Sequence, residues 1–161
     1  MFPERFFDVG IAEETAVALA SGIAANGGEP VYGVYSSFIQ RTFDQISQDL
    51  CIDKNPATIV IFAGSVYGMN DVTHLGLQDM PMLGNIPNLV YLAPTTKEEY
   101  LAMLDWSVEQ TEYPVAIKLP GGAMISDGKE VKKDFGRLDQ YEVTRKGSKV
   151  AVIGLGTFYG L

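Results

Sequence analysis

Cysteine and histidine occur once each in these 161 residues, as Cys51 and His74, and basic residues are scarce, with 12 Lys and Arg against 20 Asp and Glu and a formal charge of −8. A lone cysteine cannot close a disulfide within the chain, which fits a reducing compartment, and its default role is that of a small buried hydrophobe. Without His or Cys pairs at ligand spacing there is no zinc-type site, and no metal ligand is assigned. The acidic balance leaves no basic stripe to displace counterions from a phosphate backbone, so no nucleic-acid partner is expected. Apolar runs are short as well. The longest, residues 57–64 and 150–155, fall far below the roughly 20 residues needed to cross a bilayer, so no membrane span is expected. There is no Gly-x-Ser-x-Gly nucleophile elbow. The opening Met-Phe-Pro-Glu-Arg-Phe-Phe-Asp lacks the basic-then-apolar order of a secretion signal, and a cytoplasmic location is expected.

What is present is the composition of an ordinary globular domain, 47% hydrophobic and 20% charged. A chain of this length can bury roughly 70% of its unfolded surface. Five runs rich in β-branched residues, 31–35, 57–62, 89–92, 115–119 and 149–154, read as buried strands. Helical patterns occupy 12–25, 39–51 and 97–109. Strands alternating with helices imply an α/β fold with a mostly parallel central sheet covered on both faces, a three-layer α/β/α arrangement.

Local chemistry sharpens some boundaries. Thr96 stands three residues before Glu99 as a capping box, and Leu101, Leu104 and Val108 follow at a spacing that predicts the sheet-facing side. The first helix is rich in alanine and glycine, which allows close packing, and Gly27 and Gly28 end it. Residues 63–87 form a long stretch with little periodicity, where a site is expected. The domain core spans 1–122, residues 123–147 read as a polar linker, and 148–161 as a terminal strand or the start of a following domain.

Several residues admit two readings. Gly154 to Gly160 follows a strand, but its third glycine falls one position late for a dinucleotide loop, and a strand end with a turn is preferred. Glu13 and Glu14 open the first helix, where a carboxylate gains from the dipole with or without a chemical role. His74 in a glycine-rich loop fits either proton handling or a plain hydrogen bond. Tyr35, Phe38 and Phe43 fit core packing.

Taken together, Arg5-Phe6-Phe7-Asp8-Val9-Gly10-Ile11-Ala12-Glu13-Glu14 and Tyr35-Ser36-Ser37-Phe38-Ile39-Gln40-Arg41-Thr42-Phe43-Asp44-Gln45 resemble blocks of the pyrimidine-binding domain in the transketolase superfamily, closest to 1-deoxy-D-xylulose-5-phosphate synthases. Thr73-His74, Ile86-Pro87-Asn88, Ala93-Pro94 and Pro114-Val115-Ala116-Ile117 extend the likeness over nearly the whole chain. The resemblance implies the pyrimidine module of the thiamine-diphosphate-binding fold and an enzyme that transfers a two-carbon unit to an aldehyde. By the same resemblance, the Glu13 carboxylate faces N1′ of the cofactor's aminopyrimidine and Phe38 stacks on that ring. Arg41 and Tyr35 lie close to the pocket, and His74 lines the substrate channel. The implied cofactors are thiamine diphosphate and Mg²⁺. The implied partners are a diphosphate-binding domain or subunit, a second copy in a homodimer, and a small sugar or 2-oxoacid substrate.

Three departures cluster where these synthases handle a phosphorylated substrate. The family's Asp-Arg-Ala-Gly is here Phe62-Ala63-Gly64-Ser65, its Asp-Gly-x-Thr-His is Asn70-Asp71-Val72-Thr73-His74, and its Tyr-Pro-Arg-Gly is Leu119-Pro120-Gly121-Gly122. Two arginines are gone, and an arginine fork holds phosphate in a way that glycine cannot. Lys118 is the nearest expected replacement cation. The Asp-rich motif that holds the diphosphate and Mg²⁺ is also missing, so the isolated chain is expected not to turn over. The alternative is a transketolase-like scaffold or regulatory subunit that has lost catalysis.

Overall fold

The computed structural model describes residues 2–65, 71–131, 134–138 and 140–160, so Asn70 of the altered loop and Leu161 of the expected terminal segment lie outside it. One sheet of four parallel strands forms, β1 (Val31–Tyr35), β2 (Thr58–Phe62), β3 (Val90–Leu92) and β4 (Val115–Lys118), in the order β1-β2-β4-β3. Val31 pairs with Thr58, and Val115 lies between Thr58 and Val90. The central strands read Thr-Ile-Val-Ile-Phe and Val-Ala-Ile-Lys. Their β-branched side chains suit a pleated surface covered on both sides, and Ile59, Ile61, Val115 and Ile117 are wholly buried.

Among the described residues, five α-helical segments accompany the sheet: α1 (Glu13–Ala25), α2 (Ser36–Ile39), α3 (Phe43–Gln45), α4 (Asp79–Leu83) and α5 (Lys97–Glu109). One face of the sheet packs Ile59, Ile61 and Ala116 against Val17, Ala20 and Ala24 of α1, together with Ile39, Ile46, Leu50 and Leu83. The other packs Val90, Val115 and Ile117 against Met103 of α5. The expected three-layer α/β/α arrangement is therefore present. Small residues let α1 lie close, since Ala16, Ala20 and Ala24 share its buried stripe with Val17 and Ser21. The helix ends in a Schellman arrangement, with Gly27 N–H donating to Ala24 O at 2.9 Å and Gly28 N–H to Ile23 O at 3.0 Å. Gly27 takes the positive φ of 80° that this cap needs.

Four sequence expectations are corrected. The helix expected at 39–51 is a succession of short turns: α2, a 3₁₀ turn at Gln40–Thr42, α3, then a π-helical stretch at Ile46–Ile52. Its last carbonyls are drawn to donors from elsewhere, Asp49 O by Ser21 and Asn55 and Cys51 O by Asn88, which loosens the regular ladder. In α5, Leu101 is exposed, and the buried stripe is Glu99, Met103 and Ser107, with Thr58 Oγ1 donating to Ser107 Oγ at 3.1 Å. The α5 cap is half of the expected box: Glu99 N–H donates to Thr96 Oγ1, while the Glu99 carboxylate accepts from Thr95 N–H and Oγ1, both at 2.7 Å. Residues 149–154 form no strand. Val150, Val152 and Ile153 are almost wholly exposed, because β propensity yields a strand only where a neighbouring edge accepts it.

The segment expected as a solvated linker is tied down in places. Lys97 N–H donates to Ile125 O at 2.9 Å, the Ser126 hydroxyl bonds the Glu98 carboxylate, and Phe135 packs against Trp106 with ring centroids 6.2 Å apart. Past it, Gly156–Gly160 form a 3₁₀ turn.

Candidate functional site

The expected site residues gather at the carboxyl ends of β1 and β2, the end at which open parallel sheets bind ligands. Glu13 is the first residue of α1, where unsatisfied N–H groups and the helix dipole favour a carboxylate. It is only 7% exposed, and Arg41 Nη1 donates to its Oε2 at 3.2 Å. Arg41 comes from the 3₁₀ turn that follows α2, so the irregular winding after β1 aims this side chain back at α1. Tyr32, on β1, belongs to the same neighbourhood. Burial, and then the negative charges of Glu13 and Glu14, push its phenol up to about 12 against the opposing pull of Arg41. Tyr32 was not singled out in the sequence, because a tyrosine in a strand reads as packing; the influence of the first helix acids on it becomes visible only in three dimensions.

Phe38 lies in α2, partly buried against the core, with its ring edge-on to Tyr35 at 6.0 Å and to His74 at 5.3 Å. Tyr35 is half exposed at the end of β1. His74 closes a 3₁₀ turn, Val72–His74, capped by Asp71, whose carboxylate accepts from Thr73 N–H at 2.9 Å and from Thr73 Oγ1 at 2.7 Å. Those Thr73 hydrogen bonds hold the Asp71 carboxyl below the usual range. The structure thus joins Glu13 to Arg41, and Phe38 to both Tyr35 and His74.

The loop bearing His74 is fastened to the sheet two residues later. Gly76 N–H donates to Ser65 O at 3.2 Å, and a side chain on Gly76 would fall 2.2 Å from Ala63 O, so the close approach requires glycine. Ala63 itself sits at φ 53°, a strained value for a residue with a side chain. Lys118 Nζ reaches Gly76 O at 3.3 Å and forks onto both oxygens of Asp79, at 2.8 and 2.9 Å, while Tyr91 Oη donates to Asp79 Oδ2 at 2.6 Å. Asp79 has no exposure at all. The Tyr91 phenol is raised by its own burial, and then by the hydrogen bond to and charge of Asp79. The expectation that Lys118 stands in for a lost arginine is therefore corrected, since its ammonium is committed to a buried carboxylate. Beside it lies a mostly apolar cavity of about 220 Å³, bounded by Gly64, Met80, Pro94, Lys118 and Phe158 among others.

Protons held by burial give stability a defined pH dependence. The Cys51 thiol is pushed up to about 11 by desolvation, above its ordinary 9. Between those values the unfolded chain has released a proton that the folded chain retains, so stability falls as pH rises. Tyr32 continues the loss towards pH 12. Thermal melts from pH 8 to 11 should show a declining midpoint, and Cys51→Ala should flatten the decline between pH 9 and 11. An unchanged slope in the variant would place the lost proton elsewhere.

Comparison with known proteins gives a consistent set. A family described as transketolase, pyrimidine binding domain matches residues 1–124. The 1-deoxy-D-xylulose-5-phosphate synthase of Clostridium acetobutylicum is 42% identical over 156 residues, 96% of this chain and 25% of that protein. That of Natranaerobius thermophilus is 42% identical over 157 residues, 96% of this chain and 24% of that protein. The chain thus spans about a quarter of the length of the curated relatives it matches. Among solved structures, a split-gene transketolase in an inactive beta4 tetramer superposes with a TM-score of 0.72 at 27% identity, covering 84% of this chain and 44% of that one. A transketolase from Leishmania mexicana, at 20% identity and TM-score 0.68, covers 75% of this chain and 18% of that one and shares its fold.

Proposed function

The chain belongs to the family of transketolase pyrimidine-binding domains, and from that membership we propose that it is one half of a cofactor cleft in a thiamine-diphosphate-dependent enzyme that joins a two-carbon unit to an aldehyde. A diphosphate-binding domain or subunit supplies the other half, together with Mg²⁺, and the assembled enzyme is a homodimer acting on a small sugar or 2-oxoacid. The observation that carries this reading is the Glu13 carboxylate, buried at the head of α1 beside Arg41, which follows Phe38 by about one turn of chain.

The residues present fit an aminopyrimidine. A carboxylate suits a ring nitrogen that must accept or share a proton, and a half-buried phenylalanine offers a stacking face. When bound, the cofactor supplies the carbanion-stabilising chemistry. The chain's own part is to orient and to handle protons. Glu13 holds a proton shared with the ring nitrogen, Arg41 fixes the carboxylate's direction through its bond to Oε2, and Phe38 sets the ring plane. His74, against Phe38, faces the space where an acceptor would lie.

The test is formation of a new ketose by the assembled enzyme from a two-carbon donor and an aldehyde, in the presence of thiamine diphosphate and Mg²⁺. With Lys118 committed to Asp79, a non-phosphorylated acceptor is expected to outperform glyceraldehyde 3-phosphate. Preference for the phosphorylated aldehyde would mean that other cations form a phosphate site, and failure with every donor and acceptor would favour the scaffold reading.

A further inference from the structure

We infer that Asp71 and Thr73 together set the tautomer of His74, placing the proton on Nδ1 and leaving the Nε2 lone pair free as the acceptor. The relevance to catalysis rests on the proposed function, but the tautomer itself does not. The inference follows from counting protons. Thr73 Oγ1 lies 2.7 Å from Asp71 Oδ1 and 2.7 Å from His74 Nδ1. A hydroxyl has one proton to give. A carboxylate has none and can only accept, so the hydroxyl proton goes to Asp71 and the oxygen must accept from the ring. Nδ1 therefore carries a hydrogen, and in the neutral imidazole Nε2 then has none.

Three further contacts reinforce the arrangement. Asp71 Oδ2 stands 3.6 Å from Nδ1, so its negative charge favours a proton on that nitrogen over the far one. The ring is held edge-on against Phe38 at 5.3 Å and 78°. Thr73 N–H also donates to Asp71 Oδ1 at 2.9 Å, which keeps the carboxylate in place while the hydroxyl bridges. The side chain is about one third exposed. The Nδ1–H form is the reverse of the tautomer that an unconstrained histidine side chain prefers in water. Asp71 and Thr73 act as positioning residues, as the outer partners of ring nitrogens do in metal and catalytic sites. His74 accordingly presents a proton acceptor to a substrate hydroxyl.

The chain's single histidine makes the test direct. Ring nitrogens of the ¹⁵N-labelled chain, followed by long-range proton–nitrogen correlation at a pH where the ring is neutral, should report mainly Nδ1–H. Thr73→Val should raise the share of Nε2–H, with the Asp71 charge alone left to favour Nδ1. So should Asp71→Ala, which frees the hydroxyl to donate to Nδ1. Thr73→Ser should keep the wild-type pattern, and thermal melts confirm that each variant is folded. In the assembled enzyme, Thr73→Val should lower kcat by roughly 10- to 100-fold with a smaller change in KM, and Thr73→Ser should restore it. A tautomer that reverses while kcat stays constant supports the inference and counts against a catalytic part for His74. A wild-type ring mainly protonated on Nε2, or an Asp71→Ala ring that keeps Nδ1–H, overturns the inference.

Discussion

Replacing Glu13 by glutamine in the assembled enzyme is expected to lower turnover by roughly 10²- to 10⁴-fold, the range over which positioned acid–base groups contribute. The substitution is chosen because it changes little else. The amide keeps the length and shape of the side chain, and its oxygen can still accept from Arg41 Nη1, which now sits 3.2 Å from Glu13 Oε2. Only the ability to take up a proton and bear a charge is lost. Glu13 is nearly buried, so water cannot readily replace it in that role. The fold should hold, because the α1 stripe that anchors the helix, Val17, Ala20 and Ala24, is untouched. Arg41→Lys should be milder, since lysine keeps the charge and loses the fixed direction of the guanidinium. Wild-type turnover in Glu13→Gln, measured under saturating cofactor and substrates, would remove Glu13 from the chemistry.

The second large effect falls on stability. Lys118→Met should cost about 3–5 kcal/mol, because it strips the cation from a carboxylate with no exposure. For a domain of this size that corresponds to a fall in Tm of roughly 10 °C. The loss belongs to the stranded charge more than to the pair, so Lys118→Met combined with Asp79→Leu should recover much of it. Full recovery should also need Tyr91→Phe, since the Tyr91 hydroxyl otherwise loses the acceptor it reaches at 2.6 Å. Chemical denaturation of the single, double and triple variants measures each step. If Lys118→Met alone melts within about a degree of wild type, the ion pair does not fasten the loop between β2 and α4 as described.

These two residues also show how far the sequence could be read. Glu13, Phe38, Arg41 and His74 were recognisable because each lies in a short block that resembles a known family, and the four strands because β-branched runs mark a sheet buried on both faces. The Lys118–Asp79 pair spans 39 positions and has no local signature, so Lys118 read as a free cation. The Asp71–Thr73–His74 relay lies within four residues, yet Asp71 was visible only as a departure from a glycine and not as the acceptor it becomes. The helix expected at 39–51 failed for a related reason. Its periodicity was correct, with Ile39, Ile46 and Leu50 all buried, but Ser21 and Asn88 claim its carbonyls from distant positions and Asn55 from just beyond its end. Residues 149–154 had the composition of a strand and lacked the neighbouring edge that turns composition into structure. Local pattern thus located the elements and the family blocks, while partners far apart in sequence decided which charges are available to a ligand.

The central claim, that Glu13 and Phe38 form the pyrimidine half of a cofactor cleft, is tested most directly by calorimetric titration of thiamine diphosphate with Mg²⁺ into the assembled enzyme and its Phe38→Ala variant. Saturable binding to the wild type, weakened in the variant by about 1–3 kcal/mol as expected for loss of an aromatic stacking surface, is the predicted result. Binding of equal strength in both, or none in either, would contradict it.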